Sequence, residues 1–195
     1  FDTDSVEGRF ELTHAPINNW FGAMGLQYKQ RDFIAIGDEA FVPPADTDSF
    51  GLFLVEQYEG DGWRFEVGGR YEEQDVQSTT AGINVDHSMF SLSAGYIYHI
   101  QDHLHLSVAA SRAQRAPTEE ELLSDGPHIA TQTFEIGDPS LQEETSNSFE
   151  IGLRQHHGRL SGSITGFYND FDDYIYLADT GLEEDELPVR VWTQQ

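Results

Sequence analysis

The chain has 195 residues, of which 38% are hydrophobic, and Lys+Arg 10 against Asp+Glu 35 leave a net charge of -25. A field of that sign repels a phosphate backbone and attracts cations, so the chain is not expected to bind nucleic acid. No apolar run reaches the roughly 20 residues of a spanning helix, and the absence of cysteine removes both disulfide staples and thiolate metal sites.

Phe1 is not followed by the basic start and apolar stretch of a signal peptide, so such a leader is expected either to have been removed or to lie outside a chain that begins within a larger protein. Aromatic residues at 12% and 18 glycines point to strands and turns. From about Asp4 to His14, Val6, Gly8, Phe10 and Leu12 fall on one face, and Ala15–Asn19 reads as a tight turn. Trp20, Gly22, Met24, Leu26 and Tyr28 then alternate with Phe21, Ala23, Gly25, Gln27 and Lys29, a period of two with one apolar face. A polar connection from Asp32 to Ser49 contains Pro43–Pro44, which bars a central strand there.

Phe50 to Tyr58 is apolar on both faces at its start, which leaves its register open. Past the turn signal Glu59-Gly60-Asp61-Gly62, Trp63, Phe65, Val67 and Tyr71 oppose Arg64, Glu66 and Arg70. A second long connection is expected over about Asp75 to Asp86. Phe90, Leu92, Ala94, Tyr96 and Tyr98 alternate with Ser91, Ser93, Gly95, Ile97 and His99, and after a short turn Leu104, Leu106, Val108 and Ala110 oppose His103, His105, Ser107 and Ser111. The stretch from Ser111 to Asn147 is the longest connection. Beyond it Phe149, Ile151 and Leu153 oppose Ser148, Glu150 and Arg154, and an HHGR turn leads to Leu160, Gly162, Ile164, Gly166 and Tyr168. The chain leaves this strand at Asp172, passes an acidic run at Glu183–Glu186 that reads as a solvated loop or a weak collector of cations, and begins a last strand at Leu187.

Two regularities fix the expected fold. The strands measure about ten residues, the length of a tilted membrane-crossing strand. Short connections at 15–19, 59–62, 100–102 and 156–159 alternate with long ones at 32–48, 75–86, 112–146 and 177–187. That asymmetry belongs to outer-membrane barrels, with short periplasmic turns and long outer loops. The expected fold is therefore all-β: antiparallel up-and-down strands forming part of a large transmembrane β-barrel. Glu150, Arg154, Arg64, Glu66 and Arg70 would line a watery interior, apolar partners would meet outer-membrane lipid, and Trp20, Trp63, Tyr96, Tyr98 and Tyr168 would stand in aromatic girdles. A soluble β-sandwich binding a cation or ligand through its loops is the alternative, since Greek keys also contain some long connections.

Three segments carry a family resemblance. SRAQRAPTEEELL resembles the strand end, Arg-Xaa-Pro and short Glu-Leu turn of TonB-dependent outer-membrane receptors, and GDPSLQEETSNSFEIGL resembles their Gly-Asn-Pro-Xaa-Leu-Xaa-Xaa-Glu-Thr-Ser element. GPHIATQTFEIG at Gly126–Gly137 and the downstream NDFDDYIYL resemble the zinc-uptake branch of those receptors. The likeness is concentrated between Ala109 and Leu177 and extends diffusely upstream through RFELTHAPINNWFGAMGLQY and WRFEVGGRYEEQ. It implies a barrel of about 22 strands closed by a plug, driven through TonB, in the outer membrane of a Gram-negative cell. Residues 1–195 are then a barrel segment of about nine strands, with the plug, the TonB box and the closing strand outside it. The expected function is uptake of zinc, with a receptor for siderophore, haem or cobalamin as the alternative.

His128 is the leading candidate ligand, because a neutral imidazole suits zinc and carboxylates are acceptable partners. It lies in the long connection with Glu119, Glu120, Glu121 and Asp125. Glu121 and Asp125 are weaker candidates, since Pro117 also opens a short helix whose first turn acids would favour. By resemblance, the histidine of this motif is a metal ligand at the extracellular mouth. His103 and His105 share a face with His99 across the turn, open to two readings, a polar wall facing water or an inner metal relay; residues two apart on a strand stand about 7 Å apart, wide for direct chelation. His156 and His157 point to opposite faces. No Gly-Xaa-Ser-Xaa-Gly elbow, phosphate loop or HExxH is present, and Ser107 and His105 share a strand face without facing each other, so no enzyme is expected.

Overall fold

A computed structural model describes residues 2–37, 40–157 and 161–195. In chain order the elements are β1 (Asp2–Ile17), β2 (Trp20–Ile34), β3 (Ala45–Gly60), β4 (Trp63–Ser78), β5 (Ile83–Gln101), β6 (Leu104–Arg115), α1 (Glu119–Leu123), β7 (Asp125–His128), β8 (Thr133–Ile136), β9 (Glu144–Gln155), β10 (Gly162–Asp172), β11 (Ile175–Glu184) and β12 (Leu187–Gln194). Eight of them make one antiparallel sheet in the order β1-β2-β3-β4-β5-β6-β9-β10, and the other four make a small sheet, β11-β12-β8-β7. The large sheet is up-and-down, as the alternation predicts.

Register places the apolar residues in rows. Phe10, Leu26, Leu52, Tyr71 and Phe90 are successive partners across β1 to β5, and Tyr98, Leu106, Leu153 and Ile164 continue the same face on β5, β6, β9 and β10. In a soluble sandwich such a row would be the core. Here the five residues from Phe10 to Phe90 are 38–54% exposed, and no second sheet is stacked on them among the described residues. By the short turns Trp20, Tyr58, Trp63 and Tyr96 are in ring contact, with centroids 5.2, 5.0 and 5.8 Å apart, a continuous aromatic band.

The opposite face is polar and internally paired. Arg9 bonds Glu11 at 2.8 Å, Arg64 pairs with Glu59 at 3.2 Å, and Gln27 donates to Glu7 at 2.6 Å. The open register of the third strand resolves here: Phe50, Leu52 and Leu54 join the apolar face, while Phe53 turns to the polar one. There its ring lies over Gly25, where a Cβ would stand 2.5 Å from it, and the Arg9 guanidinium sits 4.2 Å above the ring centre.

At the ends of the strands the structure departs from the expectation. The strands of the large sheet are longer than about ten residues, from 11 in β10 to 19 in β5. The expected connection from Asp75 to Asp86 is mostly strand, because β4 and β5 pair without interruption to Ser78 and Ile83 and fully bury Val76. The acidic run is a hairpin, with Asp185 and Glu186 at positive φ between β11 and β12. The strand at Leu187 exists but is not a ninth barrel strand: it pairs with β11 and, in parallel, with β8. The expected Ala15–Asn19 turn narrows to Asn18–Asn19, both at positive φ as a tight hairpin requires. Gly158, Arg159 and Leu160, at the HHGR turn and the start of the next strand, lie outside the described residues.

The hydrophobic core cluster sits at the long-connection end, where Phe33, Phe41, Val42, Ala45, Val76, Leu122, Leu123, Leu141 and Ile175 pack together. It joins the ends of β2, β3 and β4 to α1 and the start of β11. The polarity of the two sheet faces generates a paired prediction. Ile151→Arg should destabilise the membrane-inserted barrel by about 2–4 kcal/mol, whereas Ser93→Arg on the polar face should change stability little. Urea unfolding of the complete protein in bilayers would compare them; equal costs would contradict the assigned faces.

Candidate functional site

The long connection of the sequence analysis is an ordered assembly. Thr118 caps α1 through a reciprocal box: its hydroxyl accepts the Glu121 N–H at 3.3 Å and its own N–H donates to Glu121 Oε2 at 2.8 Å. Glu121 also receives Arg115, at 2.8 and 3.1 Å, and the same guanidinium donates to Glu144 at 3.2 Å. Glu144 in turn accepts the Ile175 N–H at 2.9 Å. Glu119 accepts the Thr47 hydroxyl at 2.8 Å and Arg31 at 3.4 Å. Two of the three helix acids are therefore tied into the framework that holds the segment on the strand ends.

After α1 the chain crosses the core: Asp125 N–H donates to Phe41 O at 2.7 Å and Gly137 N–H to Ser124 O at 2.6 Å. The β7–β8 hairpin follows, pairing Asp125 with Ile136, Gly126 with Glu135 and His128 with Thr133. Alternation puts Gly126, His128, Thr133 and Glu135 on one face and Asp125 on the other. Gly126 lies against Phe41, with space for a Cβ only 3.3 Å from it.

His128 is held on two sides. Its ring stacks on Phe41, with centroids 4.3 Å apart at 16°, and its Nδ1 lies 2.9 Å from Glu135 Oε1. Glu135 is only 3% exposed, and the hydroxyls of Thr131 and Thr133 each lie 3.1 Å from the same oxygen. A buried carboxylate needs such partners. In the tautomer that carries its proton on Nδ1, that N–H donates to the carboxylate and Nε2 is left as an acceptor. His128 also borders a pocket of about 260 Å³ with Ala35, Ile36, Phe41 and Ile129.

The three sequence-derived candidates thus separate. His128 is partly exposed on the outer assembly, Glu121 is occupied by Arg115 and the helix cap, and Asp125 is exposed on the opposite face of β7. Among the described residues no three His, Asp or Glu side chains converge as a metal-holding group. Glu135 was not singled out from sequence. Its signal was position: two residues after Thr133 in a hairpin it shares a face with His128.

Long strands with one exposed apolar face, one polar face and an elaborate assembly at one end define the wall of a large outer-membrane β-barrel. Residues 1–186 match the family described as "TonB dependent receptor-like, beta-barrel", and the chain belongs to that family. Its place is the outer membrane of a Gram-negative cell. The chain is 28% identical over 140 residues to Hemoglobin-haptoglobin utilization protein B of Neisseria meningitidis serogroup A, covering 65% of this chain and 17% of that protein. It is 27% identical over 149 residues to Vitamin B12 transporter BtuB of Photobacterium profundum, covering 75% of this chain and 22% of that one. The fold is similar to that of Copper transporter OprC, with a TM-score of 0.79 and 16% identity over 98% of this chain and 32% of that one. The chain thus spans roughly a fifth of the length of these curated relatives.

Arg115 is the clamp between β6, α1 and β9, and its removal leaves Glu121 and Glu144 without their cation. Arg115→Ala should loosen segment 116–143 at a cost of about 1–3 kcal/mol. Limited proteolysis in intact membranes would read this as faster cleavage within that segment while the barrel persists. Unchanged cleavage would mean that the clamp is dispensable.

Proposed function

We infer that this chain is part of a receptor that captures zinc at the outer face and passes it inward with energy delivered through TonB. The supporting observation is the His128–Glu135 pair. A ligating histidine commonly donates its second ring nitrogen to a carboxylate, which fixes the tautomer and makes the ligating nitrogen more basic. In this reading Nε2 of His128 binds the ion and Glu135 positions the ring. Further ligands come from parts of the receptor beyond this chain, including the plug, and the negative charge of -25 concentrates cations at the surface. Outer-membrane lipid covers the apolar face. Glu121 and Asp125 contribute to that field rather than to the first ring of ligands.

A second reading, a receptor for haem, cobalamin or a siderophore, rests on the names of the relatives, one for hemoglobin-haptoglobin utilization and one a vitamin B12 transporter. The pocket beside His128, about 260 Å³, is smaller than the roughly 300–1,000 Å³ usual for organic ligands.

Zinc titration of the complete receptor in detergent tests the reading. Glu135→Gln should weaken binding by about 10–100-fold, and His128→Ala should weaken it at least as much. Unchanged affinity in both would remove the pair from the site and leave the barrel assignment standing. Displacement of zinc by haem or cobalamin at equal concentration would favour the second reading.

A further inference from the structure

A second group of imidazoles occupies the short-turn end of the polar wall. His99 and His105 are direct cross-strand partners on β5 and β6, with ring centroids 4.6 Å apart at 79°. His156, one residue past β9, brings a third ring to 5.2 Å from that of His105. The backbone fixes the arrangement: His99 N–H donates to Gly62 O at 2.8 Å and His156 N–H to His103 O at 2.9 Å. Nδ1 of His105 is shielded from solvent and has no hydrogen-bond partner among the described residues. The three rings border a cavity of about 410 Å³ shared with Ser107, Glu150 and Arg154.

Several imidazoles brought together by three adjacent strands, with a shielded nitrogen left unmade, are unexplained by packing alone. A buried polar atom without a partner is costly, and a borderline divalent ion is the kind of ligand that neutral imidazole nitrogens accept. Direct cross-strand partners have Cβ atoms about 4.5–5.5 Å apart, closer than the two-residue spacing along one strand and compatible with two imidazoles reaching one ion.

We propose that His99, His105 and His156 form a second metal station on the inner wall, taking a borderline divalent ion such as Zn²⁺ or Cu²⁺ through imidazole nitrogen. The rings pack on one another and do not converge on one point among the described residues, so loading turns the side chains about χ1 and χ2 on a fixed backbone. Arg154, the cross-strand partner of His105 on β9, opposes a cation, and Glu150 in the same cavity offsets it. The station is therefore weaker than a carboxylate-supported site, and it stands independently of the role given to His128.

The test uses the complete receptor in detergent carrying His128→Ala, so that loss of the outer site cannot be mistaken for loss of this one. Cu²⁺ titration followed by electron paramagnetic resonance should reveal a nitrogen-ligated ion. In the added double variant His99→Gln, His105→Gln that signal should vanish or need at least tenfold more Cu²⁺. An unchanged spectrum and midpoint would overturn the proposal. Should the double variant fail to fold, Zn²⁺ protection of the three histidines against diethylpyrocarbonate in the His128→Ala receptor decides the matter: protection supports the station, and equal modification with and without Zn²⁺ removes it.

Discussion

Between β4 and β5 the ladder runs from Trp63 opposite Tyr98 to Ser78 opposite Ile83 without a shift, and β2 and β3 pair from Trp20 to Phe33 in the same way. This pairing lets the chain hold an extended sheet with no dry interface behind it. A backbone polar group in hydrocarbon has no water to turn to, so neighbouring strands must take up every N–H and C=O. Once they do, side-chain polarity is free to differ between the faces. Because the period along a strand is two, a slip of one residue would carry the Phe10-to-Phe90 row to the polar wall and Arg9, Arg64 and Arg70 to the apolar side. Register and environment thus specify each other. The same constraint makes β1 and β10, the edges of the sheet, places where further strands must pair in a membrane.

Ordinary burial begins where the strands rise past the aromatic and aliphatic band. Val76 is fully buried at the end of β4, and Phe33 and Ala45 flank the connection that carries Phe41 and Val42. These strand ends provide an apolar floor for Leu122 and Leu123 of α1, while Arg115, Glu121 and Glu144 clip the helix to β6 and β9. The hairpin bearing His128 rests on that floor through Phe41. Its precision is borrowed from the sheet: a residue far along the connection is positioned by packing on strand ends rather than by local chain stiffness.

What the sequence made legible follows from this division. Alternation such as Leu104, Leu106 and Val108 against His105 and Ser107 is a local pattern, and it identifies strands and faces wherever one side is apolar. Past the band that contrast fades, so Asp75 and Asp86 read as loop although they face each other in the ladder. The second role of Leu187–Gln194 was equally hidden, because its parallel pairing with β8 joins distant segments. His128 stood out by residue type and motif. Glu135 did not, because its importance comes from burial with Thr131 and Thr133 under a ring stacked on Phe41. Glu121 carried two readings, and its one carboxylate serves both the Thr118 cap and Arg115. His156 was set aside for pointing away from His157, whereas its relevant neighbour is His105 on another strand.

The two imidazole groups differ in the support around them, and support decides how a ligand behaves. His128 has one nitrogen engaged by a buried carboxylate, one face covered by an aromatic ring, and little freedom left to lose when Nε2 meets an ion. Preorganisation of that kind strengthens binding and slows release. His99, His105 and His156 have one another and a cavity with Arg154 beside Glu150, so an ion there must reorder the rings and tolerate a nearby positive charge. In the proposed reading such a site holds an ion more weakly than the outer one. In the same reading, a tight, carboxylate-backed histidine at the outer end and a loose imidazole group near the short turns make the inward step of an ion uphill, a step that needs the energy delivered through TonB.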